Sequence, residues 1–435
     1  MNNNTFKILT LGCKVNQYES EAIRELFLKN GFREIDNGKC AGLYIINSCT
    51  VTQKSDSEGL RLLRHLSQKN PRAKIIFTGC FVEDKMNVEH LRNLCLSNLV
   101  IAKNSMKPGL ADLILDKTDG VKESLILDLK ISDFKNHSRA FLKVQDGCNN
   151  RCSYCKVPFV RGPSRSRESC QIKEEFSGLL EKGFKEIVIC GVCLGDFGKD
   201  LSLKIGLTDL LEDLEGIKAD FRIRLSSIEA SDVTPRLIDH MSASGKLCPH
   251  LHIPFQSGDD EMLLAMHRKF KNTDYLKLLD RIRKKIPQVA ITSDIIVGFP
   301  GEEASHFKNT LDFIKKALPC RLHIFPYSPR PGTLSFLKTN RPSSRVVKER
   351  MKELAALARE ISYNYRKRFL NKEVIVLTEG TCDKKTGLSN GYSECYIKVF
   401  FKGNDGLKNN LVPVWIKEVS VDSTKGQMRP GFMER

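Results

Sequence analysis

The sequence has no apolar run approaching eighteen residues, so no segment is expected to span a membrane. Its start, Met1-Asn2-Asn3-Asn4-Thr5, lacks a basic stretch followed by an apolar one. No signal peptide is therefore expected, and the chain reads as cytoplasmic. Without a secretory signal, fifteen cysteines in 435 residues argue for metal or redox use rather than disulfides. The 41% hydrophobic content is enough to fill the cores of two or three domains. A net charge of +18 suits a polyanionic partner such as RNA, although charge alone does not establish one.

The densest chemistry lies in Cys148-Asn149-Asn150-Arg151-Cys152-Ser153-Tyr154-Cys155, where three thiols are separated by three and then two residues. The stretch follows Phe141-Leu142-Lys143-Val144-Gln145, an alternating apolar run that reads as a strand, so the cysteines occupy the loop leaving it. What this set lacks is a fourth ligand. One tetrahedral zinc would have to borrow a distant His or Cys. Three thiolates can instead hold three irons of a four-iron cluster and leave the fourth open to bind a substrate or cofactor.

A second set emerges from topology. Phe6–Leu11, Leu43–Asn47 and Lys74–Thr78 read as strands, with helices expected from Glu19 to Asn30 and after Ser55. Strands alternating with helices imply a parallel sheet whose carboxyl ends share one rim. Cys13, Cys49 and Cys80 each fall just past a strand end, so the fold is expected to gather them there. Buried cysteine is often a mere small hydrophobe, but three at the same place in successive units point to a second open-iron site. Cys40 and Cys95 do not share that context and read as structural.

A polar stretch from about 119 to 138 reads as a linker. Beyond it, strands are expected at Phe141–Gln145, Glu186–Cys190, Phe221–Leu225, Leu251–Phe255, Ala290–Val297 and Arg321–Phe325. Six such units suit a partial (β/α)6 barrel with its site at the carboxyl rim. A long basic helix is expected from Ser343 to Phe369, and from Asn371 short alternating runs at Glu373–Leu377, Cys395–Phe400 and Leu411–Ile416 suggest a small five-stranded β-barrel. The fold class is thus α/β in three units, 1–120, 139–368 and 371–435.

The three-cysteine loop, with an aromatic residue before its last Cys, resembles the radical S-adenosylmethionine (SAM) signature. With both sets in view, the chain resembles the methylthiotransferases. The resemblance rests on Thr10-Leu11-Gly12-Cys13-Lys14-Val15-Asn16-Gln17, Asn47-Ser48-Cys49-Thr50-Val51-Thr52, Thr78-Gly79-Cys80, Arg161–Arg167, Gln256-Ser257-Gly258, Asp294–Glu302 and Phe325-Pro326-Tyr327-Ser328. The Gly12–Asn16 motif is similar to the branch acting on threonylcarbamoyladenosine in tRNA, beside the anticodon on its 3′ side; the isopentenyladenosine branch usually has Gln-Met in place of Lys14-Val15. The C-terminal region resembles the RNA-binding TRAM barrel. Departures are Cys193 where Asn is usual, Phe197 where Tyr is usual, His267 within Met266-His267-Arg268, and a divergent Gly391–Lys398 segment.

The resemblance implies SAM and two four-iron clusters as cofactors, held by Cys148, Cys152 and Cys155 and by Cys13, Cys49 and Cys80. It implies attachment of a methylthio group to adenine C2, with one SAM supplying methyl and another a radical that removes hydrogen. An aromatic C–H is far too weak an acid for side-chain bases. By the same resemblance Tyr154, Ser227, Glu229, Gln256 and Asp294 are candidates for the SAM pocket, each also readable as a packed or hydrogen-bonded rim residue. Arg161, Arg165 and Arg167, and Arg366, Lys367 and Arg368 on the basic helix, are candidates for RNA contact; the alternative for each group is a solvated face. Cys170, Cys190, Cys193, Cys248, Cys320, Cys382 and Cys395 show no ligand spacing and receive no role. Expected partners are tRNA carrying threonylcarbamoyladenosine and an electron donor such as flavodoxin or ferredoxin. The competing readings are a methylthiotransferase for isopentenyladenosine or a ribosomal protein aspartate, and a non-catalytic RNA-binding protein with structural metal.

Overall fold

The computed structural model describes residues 4–36, 39–115, 128–135, 137–380, 382–384, 386–403 and 405–430. Five parallel strands open the chain: β1 Thr5–Thr10, β2 Arg33–Glu34, β3 Leu43–Ser48, β4 Lys74–Gly79 and β5 Leu99–Ile101, in the order β2-β1-β3-β4-β5. β3 is buried at every position, as a central parallel strand covered on both faces must be. Its alternation divides the core. Leu43 and Ile45 pack with Ile23 and Phe27 of helix α1 (Lys14–Lys29), while Tyr44 and Ile46 pack with Leu63 and Leu66 of helix α2 (Gln53–Lys69). Helix α1 begins directly after Cys13, five residues before the expected start at Glu19. A second stripe of α1, Tyr18 and Ala22, belongs to the core of the central region. One helix is therefore shared by two units.

The central strands are β6 Ala140–Lys143, β7 Gln145–Asp146, β8 Arg165–Ser166, β9 Glu186–Cys190, β10 Arg222–Leu225, β11 His250–His252, β12 Ala290–Val297 and β13 Arg321–Pro326. The main strands form two parallel sheets, β10-β9-β6 and β11-β12-β13, and β7 pairs with β8. Bridges Ile223↔Leu247 and Ser227↔His252 link the two sheets into a partial barrel. The expected linker is only part of the story. Residues 119–127 and 136 lie outside the described residues, but Leu129, Ile131 and Phe134 are buried in the central core. Ser132 donates backbone N–H and hydroxyl to Glu25 of α1 at 2.6 and 2.9 Å. Three apolar residues among polar neighbours were enough to turn this segment into a packed strap.

The long helix Ser344–Lys367 is capped by Ser343, whose hydroxyl accepts from the Val346 amide. Its Leu354 and Ile361 enter the central core and its Tyr365 the C-terminal core. That last core fills a closed barrel of β14 Glu373–Thr378, β15 Ser389–Ser393, β16 Lys398–Phe401, β17 Leu411–Val419 and β18 Thr424–Met428. The pairings are antiparallel except where β16 meets β18 and closes the ring. The strand expected at Cys395–Phe400 begins at Lys398, because Cys395 and Tyr396 form the turn after β15 and Tyr396 has φ of +60°. β15 and β18, with little apolar alternation, were not expected. The barrel seats on the amino ends of the central strands. Arg222 donates to the Ile375 and Tyr392 carbonyls at 2.7 and 2.8 Å, and His250 stacks on Tyr396 at 4.4 Å. At the carboxyl rim it is the N-terminal unit that docks: Arg330, just past β13, donates to the Thr50 hydroxyl at 2.8 Å and pairs with Asp56.

Candidate functional site

β1, β3 and β4 are adjacent and in register, Thr10 opposite Asn47 and Ser48 opposite Gly79, so Cys49 and Cys80 emerge side by side with Cys13 next to them. Gly12 and Gly79 precede two of these thiols with φ of +103° and +100°. A side chain at Gly12 would place its Cβ 2.7 Å from the Cβ of Cys49, and Ser48 backbone crowds Gly79 in the same way. Glycine is needed here both for its left-handed backbone and for close approach. Asn16 holds the rim by donating to the carbonyls of Leu11 and Ser48 at 2.8 and 2.9 Å. Cys49 and Cys80 are buried and Cys13 is exposed. Burial pushes the Cys49 thiol up to about 12, with the neighbouring Cys80 adding to the shift.

The loop of Cys148, Cys152 and Cys155 leaves β7 through Gly147, whose φ is +75°. It is pinned by Cys148 N–H to the Gly162 carbonyl at 3.1 Å, Ser153 N–H to Met266 carbonyl at 3.1 Å and Ser153 hydroxyl to Ala265 carbonyl at 2.7 Å. Among the described residues, groupings with ligand atoms all within 4.8 Å, tight enough for a single ion, are His252/Asp294/His323 and Cys193/Asp196/Asp232; neither cysteine triad is one of them. Thiols that converge without closing on a single-ion distance suit a polynuclear cluster and not one tetrahedral zinc. The residues present thus fit two iron–sulfur clusters.

One arginine links the triads. Arg161 ends the short helix Val157–Arg161 just beyond the loop, and its Nε donates to the Cys80 sulfur at 3.1 Å. Its Nη1 reaches Glu19 and, at 3.1 Å, Asp146; its Nη2 donates to Asn16 at 2.5 Å. Lys107 pairs with Glu19 at 2.5 Å, and Lys143 with Glu19 at 3.2 Å and Asp146 at 3.3 Å. All five charged groups are buried. Burial opposes the charge on Glu19, but Arg161, Lys107 and Lys143 outweigh it and hold the carboxyl well below its ordinary range. Three cations meet two carboxylates, leaving one positive charge to match sulfur at Cys80. This network corrects the expectation that Arg161 and Arg167 contact RNA. Arg167 is equally buried, donating to Glu175 at 2.6 Å and to the Lys143 carbonyl at 2.8 Å. Arg165 is half-buried and donates to the Arg161 carbonyl at 3.3 Å.

Around the loop triad, Arg268 forms a fork–fork pair with Glu229, at 3.0 and 2.5 Å, and approaches the Cys152 sulfur at 3.7 Å. Cys152, Glu229, Ser231, His267 and Arg268 line one small cavity. Tyr154 packs against Met262, Met266 and Phe299. Ser227 bridges to His252. Gln256, a non-glycine residue at φ of +67°, accepts from the Ile296 amide at 2.9 Å. Asp294 lies between His252 at 3.2 Å and His323 at 3.0 Å; burial opposes its charge, yet these two hydrogen bonds hold it well below the usual carboxylate range. Cys193, given no role from spacing, sits beside Cys148, and its thiol hydrogen bond draws Cys148 down to about 7. Cys40 and Cys95 are exposed, which overturns their reading as structural. On the basic helix, Arg366 donates to the Ser423 and Val421 carbonyls at 2.9 and 2.6 Å, and Arg368 to the Pro287 carbonyl at 2.6 Å. Arg366 thus ties the barrel to the helix and Arg368 ties the helix end to the central region, instead of facing RNA; Lys367 is exposed and, among the described residues, has no such anchor.

Sequence reasoning missed Glu19, Asp146, Cys193 and Arg268. Glu19 had a signal: it is a carboxylate on the same helical stripe as Val15, Ala22 and Ile23, where an apolar residue is expected. Asp146 ends β7, directly before the Cys148 loop, with no pattern to mark its burial, while Cys193 and Arg268 are brought in by segments distant in sequence.

A family model described as "Radical SAM superfamily" matches residues 142–314, and one described as "Uncharacterized protein family UPF0004" matches residues 5–100. The partial barrel with its three-thiol loop is thus a radical SAM domain joined to a second, cysteine-bearing one. A solved structure described as the radical S-adenosylmethionine methyltransferase TsrM from Kitasatospora setae shares the fold, with a TM-score of 0.56, 12% identity and 77% of each chain covered. The threonylcarbamoyladenosine tRNA methylthiotransferase MtaB of Thermotoga maritima is 39% identical over 92% of both chains. The tRNA-2-methylthio-N(6)-dimethylallyladenosine synthase of Alkaliphilus oremlandii is 32% identical over 98% of this chain and 93% of its own. The chain belongs to the threonylcarbamoyladenosine tRNA methylthiotransferase family.

Proposed function

We propose that this protein attaches a methylthio group to C2 of threonylcarbamoyladenosine, on the 3′ side of a tRNA anticodon. The observation that carries the reading is the pair of three-thiol sets, each open at a fourth position and joined through Arg161. Cys148, Cys152 and Cys155 would hold the cluster that binds SAM, and Cys13, Cys49 and Cys80 the cluster that presents sulfur. When bound, these cofactors supply the electron that cleaves SAM to a radical, the methyl group and the sulfur. The chain's own part is to orient and exclude water. Arg268 fixes Glu229 at the edge of the loop triad, where a carboxylate can receive the amino or ribose groups of SAM. Gln256 and Asp294 hold the floor below it. Arg161 with its carboxylates keeps the second rim at constant distance from the first.

The units 1–120, 139–368 and 371–435 would then divide the labour between sulfur, radical and RNA. For the last, Lys367 and the exposed Trp415, with Lys417 5.7 Å from its ring, offer charge and a stacking surface. A small redox protein such as flavodoxin or ferredoxin would deliver electrons. The test is to reconstitute the protein anaerobically and incubate it with SAM, a reductant and an anticodon stem-loop RNA carrying threonylcarbamoyladenosine. Nucleoside mass spectrometry is expected to show a methylthio group in place of one hydrogen. Modification of only an isopentenyladenosine RNA would overturn the substrate assignment, and intact SAM would overturn the chemistry.

A further inference from the structure

Carboxylates around the partial barrel are taken up by guanidinium groups: Glu19 and Asp146 by Arg161, Glu186 by Arg224 and Glu229 by Arg268. Asp294 differs. Among the described residues no arginine or lysine pairs with it, and each of its two oxygens faces one imidazole, His252 Nε2 at 3.2 Å and His323 Nδ1 at 3.0 Å. The strands dictate this arrangement. β11, β12 and β13 are adjacent and parallel, with Thr292 opposite His252 and Asp294 opposite His323. Side chains alternate along a strand, so Thr292 and Asp294 share one face of β12. Ile291, Ile295 and Val297 take the other face and enter the central core. The carboxylate and both imidazoles therefore converge inside the partial barrel, on one sheet.

A row of hydrogen bonds needs only neighbouring pairs in contact; a metal site needs all its ligand atoms together and its rings steered from behind. Both conditions hold. The three ligand atoms lie within 4.8 Å of one another. Bonds of about 2.0–2.2 Å to one ion put adjacent ligand atoms about 3 Å apart, which the two N···O separations match. The second nitrogen of His252 is 2.9 Å from the Thr292 hydroxyl, which is itself 3.0 Å from His250 Nε2. A contact of that kind behind a ligating imidazole fixes its tautomer and direction. The set is open on one side, for the His323 side chain is 38% exposed on the edge strand β13, which leaves positions for water or an exchangeable oxygen ligand. Two imidazoles and one carboxylate form a donor set for divalent first-row ions. The other close grouping, Cys193/Asp196/Asp232, is already engaged, because Lys199 pairs with both carboxylates at 2.8 and 3.2 Å. We propose that His252, Asp294 and His323 bind one divalent first-row transition-metal ion, separate from the two clusters.

The test uses the full chain with its clusters reconstituted and left unreduced, titrated anaerobically with Mn2+. Manganese prefers nitrogen and oxygen to thiolate, so it does not compete for the cysteines. Electron paramagnetic resonance counts the free ion, and spin-echo modulation reports nitrogen bound to it. Wild type is expected to take up one Mn2+ per chain, with modulation from two imidazoles. His252→Gln, Asp294→Asn and His323→Gln should each weaken binding by at least about tenfold, since even the groups behind a ligand are worth that much. His323→Gln, at the open edge of the sheet, should do so at full iron and sulfide content and leave modulation from one imidazole. Asp196→Asn, in the other grouping, should bind as wild type does. A wild type that takes up no saturable Mn2+, or whose bound ion shows no imidazole nitrogen, overturns the proposal without needing any variant. Binding unmoved by the three substitutions, or lost in Asp196→Asn, overturns it too and leaves an adventitious ion only. None of these outcomes depends on which adenosine is modified, so failure of the proposed function would leave this result standing.

Discussion

The two thiol triads reach the same chemistry by opposite routes. Cys148, Cys152 and Cys155 sit on one loop, held by local hydrogen bonds to Gly162, Ala265 and Met266. Cys13, Cys49 and Cys80 come from three strands and are neighbours only because β1, β3 and β4 are adjacent and in register. Their electrostatics differ accordingly. The loop triad is flanked by a polarised thiol, Cys193, and by the neutral Arg268–Glu229 pair. The strand triad rests on a buried network with one excess positive charge. A loop motif can be transplanted with its spacing; a strand-end motif exists only with its sheet.

The comparison breaks most visibly when either set is removed. Replacing Cys13, Cys49 and Cys80 by Ala should lower iron from about eight to about four per chain. It should abolish the methylthio product yet leave reductive cleavage of SAM. Replacing Cys148, Cys152 and Cys155 should remove as much iron and abolish both reactions. Iron analysis and chromatography of 5′-deoxyadenosine check the contrast; equal loss of cleavage in both variants would refute two separable sites.

Arg161→Met tests the link between them. Lys107 and Lys143 still pair with Glu19 and Asp146, so what is lost is a set of buried charge-assisted hydrogen bonds, worth about 1.5–3 kcal/mol. Urea unfolding should show that loss, and iron should fall from the strand triad first.

A smaller effect sharpens the electrostatic contrast. In the cluster-free protein Cys148 should alkylate fastest, gaining thiolate as pH rises through about 7, while Cys155, pushed up to about 12 by burial, should lag. Cys193→Ala removes the donor, so the Cys148 rate profile should move to higher pH. Peptide mapping after iodoacetamide treatment reads both.

The least effect belongs to the basic helix. Lys367→Ala should weaken RNA binding and reduce its salt slope by about 1. Arg366→Ala should instead destabilise the chain by about 1–3 kcal/mol, because three barrel groups at Val421, Ser423 and Thr424 lose their donor. RNA titrations at several salt concentrations and thermal melts separate the two behaviours.

How much of this was legible beforehand follows the same division. The loop triad could be read from spacing alone, and the strand triad from strand ends, because parallel βα units place their carboxyl termini at one rim. The α/β class and the partial barrel followed from alternating patterns of period two and longer helical stripes. Strands β15 and β18 escaped, since Ser389–Ser393 and Thr424–Met428 carry little apolar alternation and owe their place to ring closure. The strap at 128–135 escaped for a related reason: three apolar residues cannot declare a partner until α1 is beside them.

The arginines show where sequence stops. Arg161 and Arg167 follow a cluster loop in a basic protein, and nothing in their neighbours along the chain distinguishes a phosphate contact from a buried pair. Only the tertiary structure brings Glu19 from α1 and Glu175 from the helix that follows β8 against them, and burial then decides that their charges are spent inside. Ligand type and spacing are local properties that a sequence determines. Which charges are neutralised and which remain for a substrate depends on partners far along the chain, and so on packing.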